Sequence, residues 1–184
     1  MHARRVCILL TLHCTGERVD EYQRSLRHWN IASGLFRKVI TVDSANNTYI
    51  KTTHSIDMHH FSRSYGEKMS ILAALPSLLD CPFIFKFTAR YYSDEFVSSL
   101  RSIPVDAQLV LQFLQNTRGQ NSEVFGATLD HLLVILSRVR LRPYVAMESA
   151  LLLHSRVTNF TRLPRLRLNF VAEQKSRHRN LSHL

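Results

Sequence analysis

The sequence predicts a single α/β domain built on a mixed, mostly parallel sheet flanked by helices. Three observations carry that prediction. Short apolar runs rich in β-branched residues alternate with helical patterns at least three times in the first half of the chain, and such alternation means βαβ units. The 184 residues suit one ordinary domain, and 45% hydrophobic against 21% charged residues is the composition of a packed globular protein. Five Gly and five Pro are too few for a linker-rich or turn-dense all-β chain. Wholesale disorder, a collagen-like repeat and a disulfide scaffold are excluded on the same grounds, and no internal repeat is visible.

The elements follow in order. Residues 6–12 are a continuous apolar run with turn chemistry after it (Cys14, Thr15, Gly16), which reads as a buried first strand. Arg4 and Arg5 before it imitate a signal peptide, but the apolar part is short and no small-residue cleavage site follows. Over 17–30, Val19, Tyr22, Leu26 and Trp29 fall on one helical stripe, with Thr15 as the expected N-cap. Residues 37–43 form the second strand through Val39, Ile40, Thr41 and Val42, and 45–64 are polar loop. A helix over 65–79 is expected to bury Met69, Leu72, Ala73 and Leu75, with Pro76 ending or kinking it. A buried strand over 82–87 precedes a short helix over 94–102 capped by Ser93. Strands at 108–114 and 124–127 flank a polar turn, and helices follow over 128–140 and 145–157. Residues 165–171, basic alternating with apolar, read as an edge strand. Residues 175–184 are polar and expected to fray, which places the domain at 1–174.

Charge is uneven. The formal net charge is +10; residues 137–184 hold ten Lys/Arg and two acids, so +8 of it lies there and only +2 in the rest. That asymmetry suggests an anionic partner: a nucleotide, a nucleic acid or an anionic membrane surface. Aromatics do not interleave with these basic residues and no DNA or RNA motif is present, which disfavours nucleic acid. Ten His add positive charge in a mildly acidic compartment. Cys7, Cys14 and Cys81 show no CxxC and are expected as free buried thiols, in keeping with a cytoplasmic protein, peripheral to a membrane at most. No apolar run approaches the ~20 residues of a membrane helix. The Asn-x-Ser/Thr matches at Asn46, Asn159 and Asn180 read as chance.

In open α/β sheets ligands bind outside the carboxyl ends of the strands. Lys86 lies inside the apolar run Phe83-Ile84-Phe85-Lys86-Phe87, where a lysine costs several kcal/mol unless it is paired or faces a ligand. Lys86, Thr88 and Arg90 alternate, so on a strand they project to one side, and two cations with a hydroxyl suit a diphosphate. The alternative is that Lys86 pairs with a buried acid and Arg90 lies on the surface. Asp43 and Ser44 end the second strand, where a carboxylate accepts from a ribose or base; the alternative is a cap or turn role. Neither GxGxxG nor GxxxxGK[ST] is present, which argues against a dinucleotide site and excludes a P-loop. In Tyr65-Gly66-Glu67-Lys68, Gly66 permits close backbone approach at a helix N-terminus that favours phosphate, and a bound anion offsets the misplaced charge of Lys68; an ordinary loop-to-helix junction is the alternative.

Glu148 stands alone among Val145, Ala146, Met147 and Ala150, surroundings in which a carboxylate is raised in pKa and serves as a general base. Its alternative role is to pair with Arg140, Arg142 or Arg156. Glu123 and Asp130 are weaker versions of the same case. Other constellations fail. His54, Asp57, His59 and His60 give no closed metal-ligand set. No GxSxG elbow is present, and His13 and Cys14 are adjacent, so their side chains diverge. There is no Asp-x-Asp, and a helix start explains Asp94-Glu95 equally well.

The order of these motifs resembles the GT-A nucleotide-sugar transferases: a first strand, a helix carrying Tyr22, Leu26 and Trp29, then Val-Ile-Thr-Val-Asp-Ser at 39–44. More narrowly, Tyr65-Gly66-Glu67-Lys68 followed by Phe85-Lys86-Phe87-Thr88-Ala89-Arg90-Tyr91-Tyr92 is similar to small glycosyltransferases of bacteria, algae and large algal viruses such as chloroviruses. Their pattern is a Gly-x-Glu helix start and a strand ending Lys-x-Thr-Gly-Arg-Tyr. Residues 122–126 (Ser-Glu-Val-Phe-Gly), Met147-Glu148, and Leu163-Pro164 with Leu166 fit the same order, so the resemblance spans about residues 6–171. Ala89 replaces the pattern's Gly.

The resemblance implies a single GT-A-like, Rossmann-type domain that transfers a sugar from a nucleotide-sugar donor to a hydroxyl of a glycan, lipid or protein. Without Asp-x-Asp, Lys86 and Arg90 are implied to stabilise the diphosphate leaving group in place of a divalent metal, so no cofactor is required. Thr11, Asp43 and Ser44 would hold the nucleoside, Lys68 and Thr88 the diphosphate, and Glu148 would be the base if configuration is inverted. If it is retained, Glu148 would only orient the acceptor. A nucleic-acid-binding protein and an inactive GT-A-like binding protein are the competing expectations.

Overall fold

The structure, a computed structural model, describes residues 1–15, 18–46, 50–58, 63–113, 120–163, 166 and 169–170. The apolar run Val6–Leu12 is strand β1, buried at every position. It lies at the centre because both its faces are apolar, and a strand covered on both sides needs that pattern. Helix α1 (Val19–Ala32) buries Tyr22, Ser25 and Trp29. Its N-cap is Arg18, with no side-chain cap; Thr15 contributes only its carbonyl, which accepts from the Arg18 amide at 2.9 Å. The expected Thr15 hydroxyl cap is therefore absent.

Strand β2 (Lys38–Asp43) pairs parallel to β1, and β3 (His54–Ser55) is a two-residue edge strand inside the segment expected to be loop. Helix α2 (Arg63–Leu78) starts two residues before its expected beginning and contains Pro76, which neither ends it there nor removes its last turn. Its buried face is Ser70, Ile71, Ala74 and Leu78; Met69, Leu72, Ala73 and Leu75, the expected face, are half-buried. The helix is apolar around most of its circumference, so sequence periodicity could not orient it.

Strand β4 (Phe83–Thr88) completes the parallel core beside β1, with Leu9 opposite Lys86 and Thr11 opposite Thr88. After β5 (Tyr91–Tyr92) and a single-turn helix α3 (Phe96–Ser99), β6 (Leu109–Phe113) and β7 (Gln120–Ala127) pair antiparallel. The Ser93 hydroxyl caps nothing: it is buried without a hydrogen-bond partner. Helices α4 (Leu129–Arg138) and α5 (Met147–Ser155) precede β8 (Thr161–Arg162) and β9 (Asn169–Phe170). Among the described residues the main sheet has seven strands in the order β3-β2-β1-β4-β7-β6-β8, parallel except for β7, while β5 and β9 form a separate pair. The edge strand expected at 165–171 falls largely outside the described residues; β8 takes the edge position instead.

The sheet divides two cores. On one face Ile8, Leu10, Phe83, Phe85 and Phe87 pack against Tyr22, Trp29 and Phe96, with ring centroids 4.7 Å apart for Trp29–Phe87 and 4.9 Å for Phe85–Phe96. On the other, Cys7, Leu9, Ile84 and Phe125 meet Ile71, Leu132, Ile135, Met147 and Ala150. Each large side chain so buried stabilises by about 1.5–3 kcal/mol before entropy is counted. Gly126 is required where β7 crosses the aromatic side: a methyl there would stand 2.6 Å from Phe83 Cε1 and 2.7 Å from Phe85 Cε1. Gly66 is under no such constraint. A Cβ would meet Met58 at 3.7 Å and Ser44 at 3.9 Å, ordinary contacts, so the close backbone approach expected there is not needed.

The cysteines correct the thiol expectation. Cys7 and Cys81 form a disulfide across 74 residues, with Cα atoms 5.8 Å apart; Cys14 alone stays a thiol, and it is buried. Parallel pairing of β1 with β4 sets Cys7 opposite Ile84, close to Cys81. Among the described residues no helix is long and apolar enough to cross a membrane.

Candidate functional site

Alternation along β4 sends Phe85 and Phe87 into one core and Lys86 to the other face, where the strand end meets the start of α2. Lys86 has no exposed surface and forms an ion pair with Glu67, whose side chain is 16% exposed. Its Nζ also donates to the Ser122 carbonyl at 2.7 Å and to Thr88 Oγ1 at 3.2 Å. All three ammonium protons thus have acceptors, which is what a desolvated lysine requires. The acid-pairing alternative is therefore realised, and the acid is Glu67. Burial pushes the Glu67 carboxyl above the ordinary carboxylate range, Lys86 opposes that shift, and the charges of Glu123 and Glu148 add to it.

The neighbours of this pair come from four elements. Thr11, on β1, donates to Glu67 Oε1 at 3.2 Å and to the Phe87 carbonyl at 3.4 Å. Arg90, past the end of β4, bonds Glu123 of β7 at 3.3 Å and lies 4.7 Å from the Tyr91 ring centre. Because β7 runs backwards relative to β4, its first residues arrive at the carboxyl end of the parallel strands. The Ser122 hydroxyl then donates to Glu148 Oε1 at 2.6 Å. Glu148, the second residue of α5, lies on its exposed side, while Met147 and Ala150 are buried. The apolar surroundings expected for it lie across the helix, and its described partner is Ser122, not Arg140, Arg142 or Arg156.

Asp43 and Ser44 form a second group at the end of β2. Asp43 is fully buried, and its Oδ1 accepts from the amides of Cys14 at 3.1 Å and Ala45 at 3.2 Å, the turn-holding alternative. The Ser44 hydroxyl bonds the Leu12 carbonyl at 3.0 Å and His13 Nδ1 at 2.9 Å. Burial and the Asp43 charge push the Cys14 thiol up to about 11, so it is not a nucleophile at neutral pH. Glu67 and Gly66, adjacent in α2, touch Thr11 and approach Ser44 respectively, which joins the two groups along one edge of the sheet.

The structure thus brings together Thr11, Lys86, Thr88, Arg90 and Glu148, with Asp43 and Ser44 beside them. It does not bring in Lys68, whose Nζ donates to the Val139 carbonyl at 2.9 Å at the end of α4, where a cation is favoured by unpaired carbonyls. Glu67 and Ser122 are members that charge and alternation along the strand do not disclose; Glu123, a weaker general-base candidate in the sequence, enters as the partner of Arg90. One signal was available: a lysine inside an apolar strand demands a carboxylate, and Glu67 stands in the motif already singled out. His59 and His60 lie outside the described residues; among those described, no group of His, Cys, Asp and Glu is placed to hold a metal ion.

No protein-family model matches the chain, and no curated protein matches it in sequence. Among solved structures it is similar to the crystal structure of a glycosyltransferase involved in the glycosylation of the major capsid of PBCV-1, at 10% identity and a TM-score of 0.51, over 75% of this chain and 68% of that one. It is also similar to the inositol-1-phosphate CTP transferase from T. maritima, at 10% identity and a TM-score of 0.52, over 89% of this chain and 86% of that one. Identities this low establish the fold, a Rossmann-like α/β domain with a mostly parallel sheet.

Proposed function

We propose that the chain is a glycosyltransferase: it moves a sugar from a nucleoside diphosphate donor to a hydroxyl acceptor. The observation that carries this reading is the linkage Lys86–Ser122–Glu148, in which one backbone carbonyl and one hydroxyl of the same residue join a buried cation to an exposed carboxylate. Lys86 and Arg90 stand on the leaving-group side, at the carboxyl end of the central strands where such folds bind nucleotides. Glu148 stands on the acceptor side.

In the inverting form, the acceptor oxygen attacks the anomeric carbon, its proton passes to Glu148, and the bond to the diphosphate oxygen breaks. Negative charge then grows on the diphosphate, which Lys86, Thr88 and Arg90 stabilise. Both cations rest against carboxylates, Glu67 and Glu123, so the donor must displace those contacts. The raised Glu67 pKa makes this feasible: as the diphosphate takes Lys86, Glu67 takes a proton and becomes a neutral donor. In a retaining enzyme Glu148 orients the acceptor instead. Thr11, Asp43 and Ser44 shape the nucleoside side, and no metal or other cofactor is required. Lys68, tied to Val139, is given no phosphate role.

A second reading is nucleotidyl transfer, favoured by the fuller overlap with the CTP transferase fold. There the acceptor attacks a phosphorus atom and diphosphate leaves. The deciding experiment offers the protein sugar nucleotides and nucleoside triphosphates in parallel, with and without EDTA. A melting temperature raised by a sugar nucleotide, with nucleoside diphosphate released on adding a glycan or lipid acceptor, supports sugar transfer. Release of diphosphate from a triphosphate supports the second reading, and loss of turnover in EDTA overturns the metal-free mechanism.

A further inference from the structure

The two C-terminal helices present a surface that the proposed chemistry does not use. His131 Nδ1 meets His154 Nε2 at 2.8 Å, which joins the start of α4 to the end of α5, so the helices form an antiparallel hairpin. Leu132, Ile135, Met147 and Ala150 bury its inner side. Its turn is closed by the paired backbones of Arg140 and Val145, at 3.2 and 2.9 Å. The closure leaves Arg140, Leu141, Arg142, Pro143 and Tyr144 as five consecutive exposed residues. Between Asp130 and Glu148 the sequence has Arg138, Arg140 and Arg142 and no acid. Leu133, Val134 and Leu153 on the two helices, and Val157 after them, are further exposed apolar residues.

We propose that this turn docks the protein on an anionic lipid surface. Exposed leucine, proline and tyrosine interleaved with arginines match the bilayer interface: apolar side chains enter the headgroup boundary, guanidinium groups grip lipid phosphate, and tyrosine spans the two. A nucleic acid would match the arginines but not the apolar residues. A second copy would cover the apolar residues but set arginines against arginines.

The location adds a consequence. The Tyr144 hydroxyl lies 3.5 Å from Ser64 Oγ, and Lys68 of α2 bonds Val139 at the base of the turn. The turn therefore sits beside the helix start that carries Glu67, and Glu148 follows a few residues on, in the first turn of α5. On the glycosyltransferase reading, and only on it, the acceptor hydroxyl is lipid-borne. The docking itself does not depend on that reading.

The test is co-sedimentation of the full chain with phosphatidylcholine vesicles, with and without phosphatidylserine. Binding is expected only with phosphatidylserine and is expected to fall as salt rises. Arg140→Glu with Arg142→Glu should lower partitioning about tenfold or more, and Leu141→Ser with Tyr144→Ser should weaken what persists at high salt. Unchanged melting temperatures are expected, since these side chains are exposed. Arg4→Glu with Arg5→Glu, at the opposite end of the strands, should bind as wild type. Several results overturn the proposal: no binding by the wild type, wild-type binding by the Arg140/Arg142 variant, loss of binding only on reversing Lys175, Arg177 and Arg179, or a dimer that Leu141→Ser and Tyr144→Ser dissociate. Vesicle binding without transfer to any lipid hydroxyl keeps the docking and removes the lipid-borne acceptor.

Discussion

Glu67 and Lys86 form an ion pair in which the lysine has no exposed surface. A buried pair adds little net stability, yet removing one partner strands the other. Lys86→Met alone should destabilise the protein by up to about 3–5 kcal/mol, less whatever Glu67 recovers by taking a proton, because it leaves that carboxyl desolvated beside Glu123 and Glu148. Adding Glu67→Gln should recover most of that loss. Urea unfolding of the three variants measures it; a double variant no more stable than Lys86→Met would show that lost packing, not stranded charge, is the cost.

Ser122 and Glu148 divide binding from turnover. On the glycosyltransferase reading Glu148→Gln keeps the hydrogen bond from Ser122 but cannot take a proton, so kcat should fall about 10²-fold or more while donor affinity is unchanged. Ser122→Ala should fall less, since its carbonyl still binds Lys86. The measurement is kcat and donor KM for each variant. Unaltered turnover in Glu148→Gln removes it as the base.

His154 makes stability depend on pH. Burial, with help from His131 and Arg138, holds its pKa below the usual histidine value. The unfolded chain therefore binds this proton more readily, and the contribution is lost as pH falls from about 6.5 towards the depressed folded value. His154→Leu should flatten that part of the acid limb, measured as melting temperature between pH 7 and pH 5. An unchanged slope would place the pH response elsewhere.

The disulfide closes a loop of 74 residues that contains α1, β2, β3 and α2. Its reduction should lower stability by about 2–4 kcal/mol, through the entropy returned to the unfolded chain. Unfolding in urea with and without dithiothreitol reads the difference, and Cys7→Ala with Cys81→Ala should match the reduced wild type. Cys14, buried as a thiol, should resist alkylation until the protein unfolds.

Strands β1, β4 and β6 were legible because strands covered on both faces read as largely apolar runs, and β2 was legible from its β-branched Val39, Ile40, Thr41 and Val42. The orientation of α2 was not, since a helix apolar on most sides does not say which face meets the sheet. Caps at Thr15 and Ser93 failed because serine and threonine before a helix are common whether or not the hydroxyl turns back. The Cys7–Cys81 bond was hidden by sequence distance; it follows from the β1–β4 register, which no local pattern contains. In the site, the oddity of Lys86 was plain, but its acid was not named. Lys68, next to Glu67 in sequence and about a quarter-turn away around the helix, carries the charge that suggests phosphate. Ser122, and the pairing of Glu123 with Arg90, were out of reach until the reversal of β7 was known.

That reversal has a temporal consequence. The parallel half of the sheet, from β1 to β4, is made by the first 88 residues, and it holds Lys86 and Glu67. Ser122, Glu123 and Glu148 reach them only when a hairpin and a helix from much later in the chain close against β4, and contacts so distant in sequence form slowly. During synthesis the cation and its carboxylate partner thus precede the rest of the cleft, and a nascent chain released early would have four of the sheet's seven described strands and no working centre.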